Sequence, residues 1–372
     1  MTTNPLVRLG ELGQSPWYDF ITRDLLASGQ LTRLIADDGL LGMTTNPTIF
    51  EKAVAGSDLY DEDIRQLTSR GRSSMEVFEA LAVADVREAC DAFLPVYQRA
   101  GGQDGLVSIE VSPALARETA ATVVEAERLW RTVGRPNAMI KIPGTVEGLP
   151  AVTQCIAEGI NVNITLLFSV ERYEGVIAAY QAGLEARLAR GLPVDWIASV
   201  ASFFVSRVDT KLDPMLDRIG DPSRLRGKIA IANACLAYRA FEKRRAESRW
   251  SALAQRGARP QRPLWASTST KDPRYSEVHY VEALIAPNTV NTLPPETFAA
   301  YRDHGKPEVR IQTGIAAVDS QMASLAKLGL DFPSLTRELE DEGVTKFAAS
   351  YGAALATLEH KASALAGAAP AR

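Results

Sequence analysis

The chain has 372 residues, 46% of them hydrophobic, and its 41 basic and 45 acidic residues leave a formal charge of −4. That is ample material for a large core, and the weak acidity argues against a nucleic-acid or anionic-membrane scaffold while leaving room for a local anion site. The opening "MTTNPLVRLGELGQ" has no basic-then-apolar leader pattern, and no apolar run nears the ~18 residues of a membrane span, so a cytoplasmic protein with no membrane partner is expected.

Residues 1–14 read as an N-terminal extension, and eight strand-like runs follow. They are "SPWYDF" (15–20), "LGMTTNP" (41–47), "GLVSIEV" (105–111), "NAMIKI" (137–142), "INVNITLLF" (160–168), "DWIASVASFFV" (195–205), "RPLWAST" (262–268) and "NTVNTL" (288–293). Several are near-continuously apolar, as strands buried on both faces are. Helical stretches separate them. Over 114–133, Leu115, Thr119, Val123, Ala126, Leu129 and Val133 recur every three to four residues and predict one packed face. Eight alternations predict an α/β fold, a closed (β/α)8 barrel with additional helices in the connections, because each parallel pairing needs a crossover. A doubly wound open sheet fits less well, since no GxGxxG follows an early strand. Two connections exceed what a barrel needs, roughly 51–100 and 207–260, and within the second "AYRAFEKRRAESRWSALAQRG" reads as a solvated helix ending at Gly257. The single barrel domain is expected over 15–360, with a frayed, flexible tail over 361–372.

Cys90, Cys155 and Cys235 lie far apart and read as buried small hydrophobes. His279, His304 and His360 form no close ligand cluster, so no metal site is expected.

A barrel gathers reacting groups at the C-terminal ends of its strands. Lys141 lies between Ile140 and Ile142, and strand alternation turns it to the face opposite both, into the barrel. An interior ammonium loses hydration, which favours the neutral, nucleophilic amine that imine formation requires. A structural ion pair is the competing reading. Glu110 in "SIEVS" could pair with Lys141 or move protons, and Asp19 in "WYDF" is a second inward carboxylate. Two buried acids and one lysine are costly as architecture alone. Thr44 with Asn46, and Asn163 with Thr165, are spaced two apart and suit a ligand with several hydroxyls. Ser202 and Arg207 bracket the end of the sixth strand, and Ser267, Ser269 and Lys271 follow the seventh, where barrels often bind phosphate.

The segments "GMTTNPTIF", "SIEVSP", "NAMIKIPGT", "GINVNITLLFS" and "ASFFVSRVD" resemble the strand-end motifs of the transaldolase family, in order. "VEALIAPNTVNTLPPETFAAYRDHG" resembles its longer bacterial branch, and the resemblance runs from about residue 15 to 355. It implies Schiff-base transfer of a dihydroxyacetone unit from sedoheptulose 7-phosphate to glyceraldehyde 3-phosphate, giving erythrose 4-phosphate and fructose 6-phosphate in the pentose phosphate pathway, with no metal or other cofactor. By motif match Lys141 forms the imine, Glu110 acts through a water, and Asp19 moves the proton of carbon–carbon cleavage. Asn46 and Asn163 hold donor hydroxyls, Thr165 orients the water, Thr44 and Ser202 line the pocket, Phe204 is an apolar wall, and Arg207 binds phosphate. One departure stands out: family members carry an arginine two residues after the serine that follows the seventh strand, where this chain has Ser269. Lys271 is the expected replacement, trading a donor fork for a point charge.

Three rivals share parts of this pattern. They are a class I sugar-phosphate aldolase releasing free dihydroxyacetone, a pyridoxal-phosphate enzyme using the same lysine, and a non-catalytic structural or interaction barrel. The expected partners are sugar phosphates, and the chain is expected to be a monomer or homodimer.

Overall fold

The computed structural model describes residues 4–367. Eight parallel strands close into a barrel: β1 (Gln14–Asp19), β2 (Gly42–Thr44), β3 (Leu106–Glu110), β4 (Ala138–Pro143), β5 (Val162–Leu167), β6 (Ser199–Phe204), β7 (Arg262–Ala266) and β8 (Thr289–Leu293). Each pairs with its neighbour in sequence, and β8 returns to β1. β4, β5 and β6 are buried along their whole length, which explains their largely apolar character, broken by Lys141, Asn163, Thr165, Ser199 and Ser202. The predicted fold class therefore stands, with all eight predicted runs containing a strand. The run from 195 is shorter than expected, because Asp195–Ala198 precede the first ladder residue, Ser199.

Register builds the site. Asp19 pairs with Thr44, Glu110 with Lys141, and Lys141 with Asn163, which sets these groups on neighbouring strands of the barrel. Below these groups the barrel is packed. Gly42 has no side chain because a Cβ there would come within 2.5 Å of the Trp17 indole. A register shift between Ile164 and Leu167 accompanies a positive φ at Leu166, a bulge that re-aims the strand end beside Thr165.

Several helical expectations need correction. The helix expected from 114 begins at Thr119, after a single 3₁₀ turn at Pro113–Leu115. The Leu115 carbonyl accepts from the Thr122 hydroxyl and the Ala116 carbonyl from Thr145, so hydroxyls engage them in place of a continuous helical ladder. Val123, Ala126, Leu129 and Val133 do form the buried face, with Leu115 and Thr119 half-buried. The stretch 237–257 is two helices, Ile229–Arg245 and Ser248–Gln255, broken at Glu247, whose extended backbone starts the second. It is not simply solvated, since Tyr238, Phe241, Trp250 and Leu253 are buried.

The long early connection holds the helices Pro47–Gly56, Asp61–Ser69 and Ser74–Arg99, the last opened by a reciprocal Ser73–Glu76 cap. The ends also differ from expectation. Residues 1–3 of the expected extension lie outside the described residues, while Pro5–Glu11 form a helix that buries Leu6 and Leu9, and β1 already begins at Gln14. Of the expected tail, residues 368–372 lie outside the described residues. Residues 361–367 belong instead to the helix Phe332–Gly367, where Lys361 Nζ donates to the carbonyls of Val54 and Ser57 and pairs with Asp61 at 2.8 Å. This helix packs against Pro47–Gly56 and reaches the C-terminal mouth of the barrel. Cys90, Cys155 and Cys235 are buried free thiols. No described helix is long and apolar enough to cross a membrane.

Candidate active site

A cavity of about 410 Å³ opens at the C-terminal end of the barrel. Eleven of the residues singled out from the sequence border it: Asp19, Thr44, Asn46, Lys141, Thr165, Ser202, Phe204, Arg207, Ser267, Ser269 and Lys271. Lys141 is 6% exposed, its Nζ 2.5 Å from Glu110 Oε1 and donating to the Thr45 carbonyl at 3.2 Å. The ammonium thus holds Glu110 Oε1, while Oε2 has no hydrogen-bond donor among the described residues. Burial raises the Glu110 carboxyl above its ordinary value, with Lys141 opposing that shift.

Asp19 lies one side of Lys141. Burial raises its carboxyl too, against the pull of Lys141 and of the Thr44 hydroxyl, which donates to Asp19 Oδ1 at 2.7 Å. Thr44 has then spent its hydrogen, so the Thr292 hydroxyl 2.6 Å away donates to it. A chain Thr292 to Thr44 to Asp19 thus fixes the carboxyl. The Asn46 carbonyl oxygen caps the helix Pro47–Gly56 by accepting from the Ile49 amide, which leaves its amide group as the donor end.

Two placements differ from the pattern expected. Glu110 does not border the large cavity; it shares with Lys141 and Thr165 a small adjoining one of about 10 Å³. Asn163 is fully buried beneath the floor, its amide donating to Ser108 and its oxygen accepting from Ser202. Both its ends are engaged, and it is Ser202 that meets the cavity.

The opposite wall is basic. Arg207 sits in the first turn of the helix Ser206–Arg218, its guanidinium 4.8 Å from the centre of the Phe204 ring, and Nη1 is buried without an acceptor. Burial lowers its pKa, and the group remains a cation. Ser267 follows β7 with φ 55°, a left-handed conformation that costs a non-glycine residue about 1–3 kcal/mol and is found here at the cavity edge. Its hydroxyl lies 3.0 Å from Ser206 Oγ, and exposed Lys271 donates to Ser269 Oγ at 2.7 Å. A cavity lined by a guanidinium with no ion pair among the described residues, a loop lysine, a buried amine and the raised carboxyl of Asp19, with Glu110 behind the amine, can hold an anionic sugar and exchange protons with it.

Sequence reasoning missed Thr292, Glu296 and the residues that the last helix brings to the mouth, Lys346, Phe347 and Ser350. The Phe347 ring lies 5.7 Å from Lys141 Nζ, near enough for a cation–π contact. Thr292 carries a signal, a hydroxyl at the end of the last strand. The helix residues carry none, since nothing local to 346–350 shows where that helix lies. Among the described residues no group of three or more His, Cys, Asp or Glu is suited to a metal.

Comparison with known proteins agrees with this geometry. Residues 16–358 match the family described as Transaldolase/Fructose-6-phosphate aldolase. A transaldolase of Acidothermus cellulolyticus is 52% identical over 353 residues, 94% of each chain. A transaldolase of Frankia alni is 50% identical over 361 residues, covering 96% of this chain and 97% of its own. One of Trichodesmium erythraeum is 47% identical over 373 residues, 97% and 98%. Matching over nearly its whole length, with an amine and two carboxyls at the mouth of its barrel, the chain belongs to the transaldolase family and is an enzyme of that type.

Proposed function

We propose that the enzyme transfers a dihydroxyacetone unit from sedoheptulose 7-phosphate to glyceraldehyde 3-phosphate through an imine on Lys141, as the family resemblance implies. The observation that carries this is a buried lysine amine in a sugar-sized cavity that Arg207 also lines, its guanidinium in no ion pair among the described residues. Lys141 Nζ adds to the ketose C2, and loss of water from the adduct gives the protonated imine. Glu110, in contact with that nitrogen, passes protons through a water held by the Thr165 hydroxyl, which is itself buried without a partner. Asp19, whose raised pKa suits a group that must both take and return a proton, removes hydrogen from the C4 hydroxyl as C3–C4 breaks. The electron pair moves into the imine and waits there for the acceptor aldehyde.

Asn46 and Ser202 supply polar groups to the held fragment, and Asn163 acts through Ser202. Phe204 is a wall and a platform for Arg207. Arg207, Ser267 and Lys271 take the phosphate, with Lys271 supplying charge where relatives are expected to carry arginine. The test is borohydride trapping with fructose 6-phosphate, read by peptide mass, beside a coupled assay with erythrose 4-phosphate. A reduced three-carbon adduct on Lys141, together with seven-carbon product, supports transfer. Free dihydroxyacetone as the main product would select the aldolase reading, and no adduct on Lys141 would end the imine reading.

A further inference from the structure

Asn46 separates two cavities. One is the substrate cavity; the other, about 50 Å³, runs from Glu110 between the segment Thr45–Pro47 and the helices Ser74–Arg99 and Thr119–Val133, towards Tyr351, Glu79 and Glu125. Neither Lys141 nor Asp19 borders it, and Glu110 borders it while standing outside the substrate cavity. Its walls are apolar, with Phe50, Phe78 and Ala82 among them. Its inner end is polar: Glu110 Oε1 is held by the Lys141 ammonium, whereas Oε2 and the hydroxyl of Thr45, a residue 8% exposed, are buried without a hydrogen-bond partner among the described residues. The outer end is polar too, where Arg128 bridges Glu79 and Glu125. A space of this size takes roughly three waters, each needing the kind of polar partner found at its ends.

We propose that this passage is a solvent route serving Glu110 independently of the substrate mouth, a reading that rests on imine chemistry at Lys141. Imine formation breaks the C2–O bond of the adduct, and the oxygen leaves as water after taking a proton from Glu110. Hydrolysis reverses both steps and consumes one water, with Glu110 accepting its proton. A sugar phosphate filling the substrate cavity blocks exchange through the mouth at both moments. The passage reaches Glu110 from behind, past Thr45, so water can pass while the sugar stays bound. Its apolar middle binds water weakly, as a conduit needs.

The experiment is enzyme-catalysed exchange of ¹⁸O from labelled water into C2 of fructose 6-phosphate, measured against the imine trapped by borohydride. The parent is expected to exchange at nearly every imine cycle. Ala82→Leu, which narrows the passage away from the substrate cavity, is expected to slow exchange at least tenfold while still giving the Lys141 adduct; Ala82→Ser, which leaves it open, should behave as the parent. Ala82→Leu exchanging at the parental rate, with its crystal structure showing the passage filled, overturns the route. Should Ala82→Leu fail to fold, a crystal structure of the parent decides: ordered water at the two polar ends of the passage, beside Glu110 and beside Glu79, supports the route, and two dry ends overturn it. If the parent itself yields no adduct, the imine reading has failed, a result distinct from an adduct with unaltered exchange.

Discussion

At the N-terminal end of the barrel Arg262 donates to the Ser15 hydroxyl, the Gln103 carbonyl and Asp104. Asp104 also accepts from Ser15 and the Trp17 indole. At the C-terminal end Lys141 meets Glu110 Oε1 at 2.5 Å, yet Glu110 Oε2, the Thr165 hydroxyl and one Arg207 nitrogen lack hydrogen-bond partners among the described residues. Both ends bury charge, and the upper one leaves part of it unsatisfied. A satisfied network ties strand ends together, while an unsatisfied one costs stability and is kept where ligand or solvent completes it. Cutting each end should therefore damage different properties.

The largest effect is expected from Lys141→Ala, which removes the nucleophile. Transfer activity should fall on the order of 10⁶-fold, the scale seen when a covalent nucleophile is lost, with the borohydride adduct absent by mass. Residual activity near the parental rate in a folded variant would assign the amine to architecture.

Asp19→Asn comes next, with an expected loss of roughly 10²–10⁴-fold in kcat for a missing proton carrier. Its stability should move the other way. Folding raises the Asp19 carboxyl above its ordinary 3.8, burial being the largest cause. Between the ordinary and raised values the native state binds more protons than the unfolded state, so this group makes stability fall as pH rises through that window. The amide has no charge to bury. The melting temperature of the variant relative to the parent should therefore climb as pH rises from about 4 towards neutrality, and a gap that is constant or shrinking would show that Asp19 is not poised this way.

Arg262→Met breaks the satisfied end. Leaving Asp104 without its cation should cost about 3 kcal/mol in denaturant unfolding, while kcat/KM stays at the parental value. Equal damage to activity would mean the two ends are coupled, and the comparison would fail.

The fold was legible in the sequence because parallel strands buried on both faces are mostly apolar runs, and the site because a lysine and two acids inside such runs have no packing reason to be there. Legibility stopped where contacts are set by elements distant in sequence. Asn163 has the right parity for the cavity, but Ser108 and Ser202 hold it beneath the floor. Phe347 covers Lys141 only because the last helix is docked on Pro47–Gly56. The turn at Pro113–Leu115 kept a helical apolar spacing, and the hydroxyls of Thr122 and Thr145 overrode it by engaging carbonyls that a helix would use.

The smallest effect tests the rim of the upper end, where Lys271 is exposed and held by Ser269 at 2.7 Å. Arg207 is half-buried against Phe204, with Nη1 fully buried, and is less open to solvent ions than Lys271, which acts from the loop after β7. An exposed charge is worth little and is screened by salt. Lys271→Ala should therefore raise KM for fructose 6-phosphate only about fivefold at low ionic strength, leave kcat unchanged, and converge on the parent as salt rises. Arg207→Ala should raise KM further and keep more of its effect in salt, because the less exposed guanidinium loses less to screening. Equal KM for Lys271→Ala and the parent at low salt would remove Lys271 from the phosphate site and leave Arg207 and the serines to hold the anion alone.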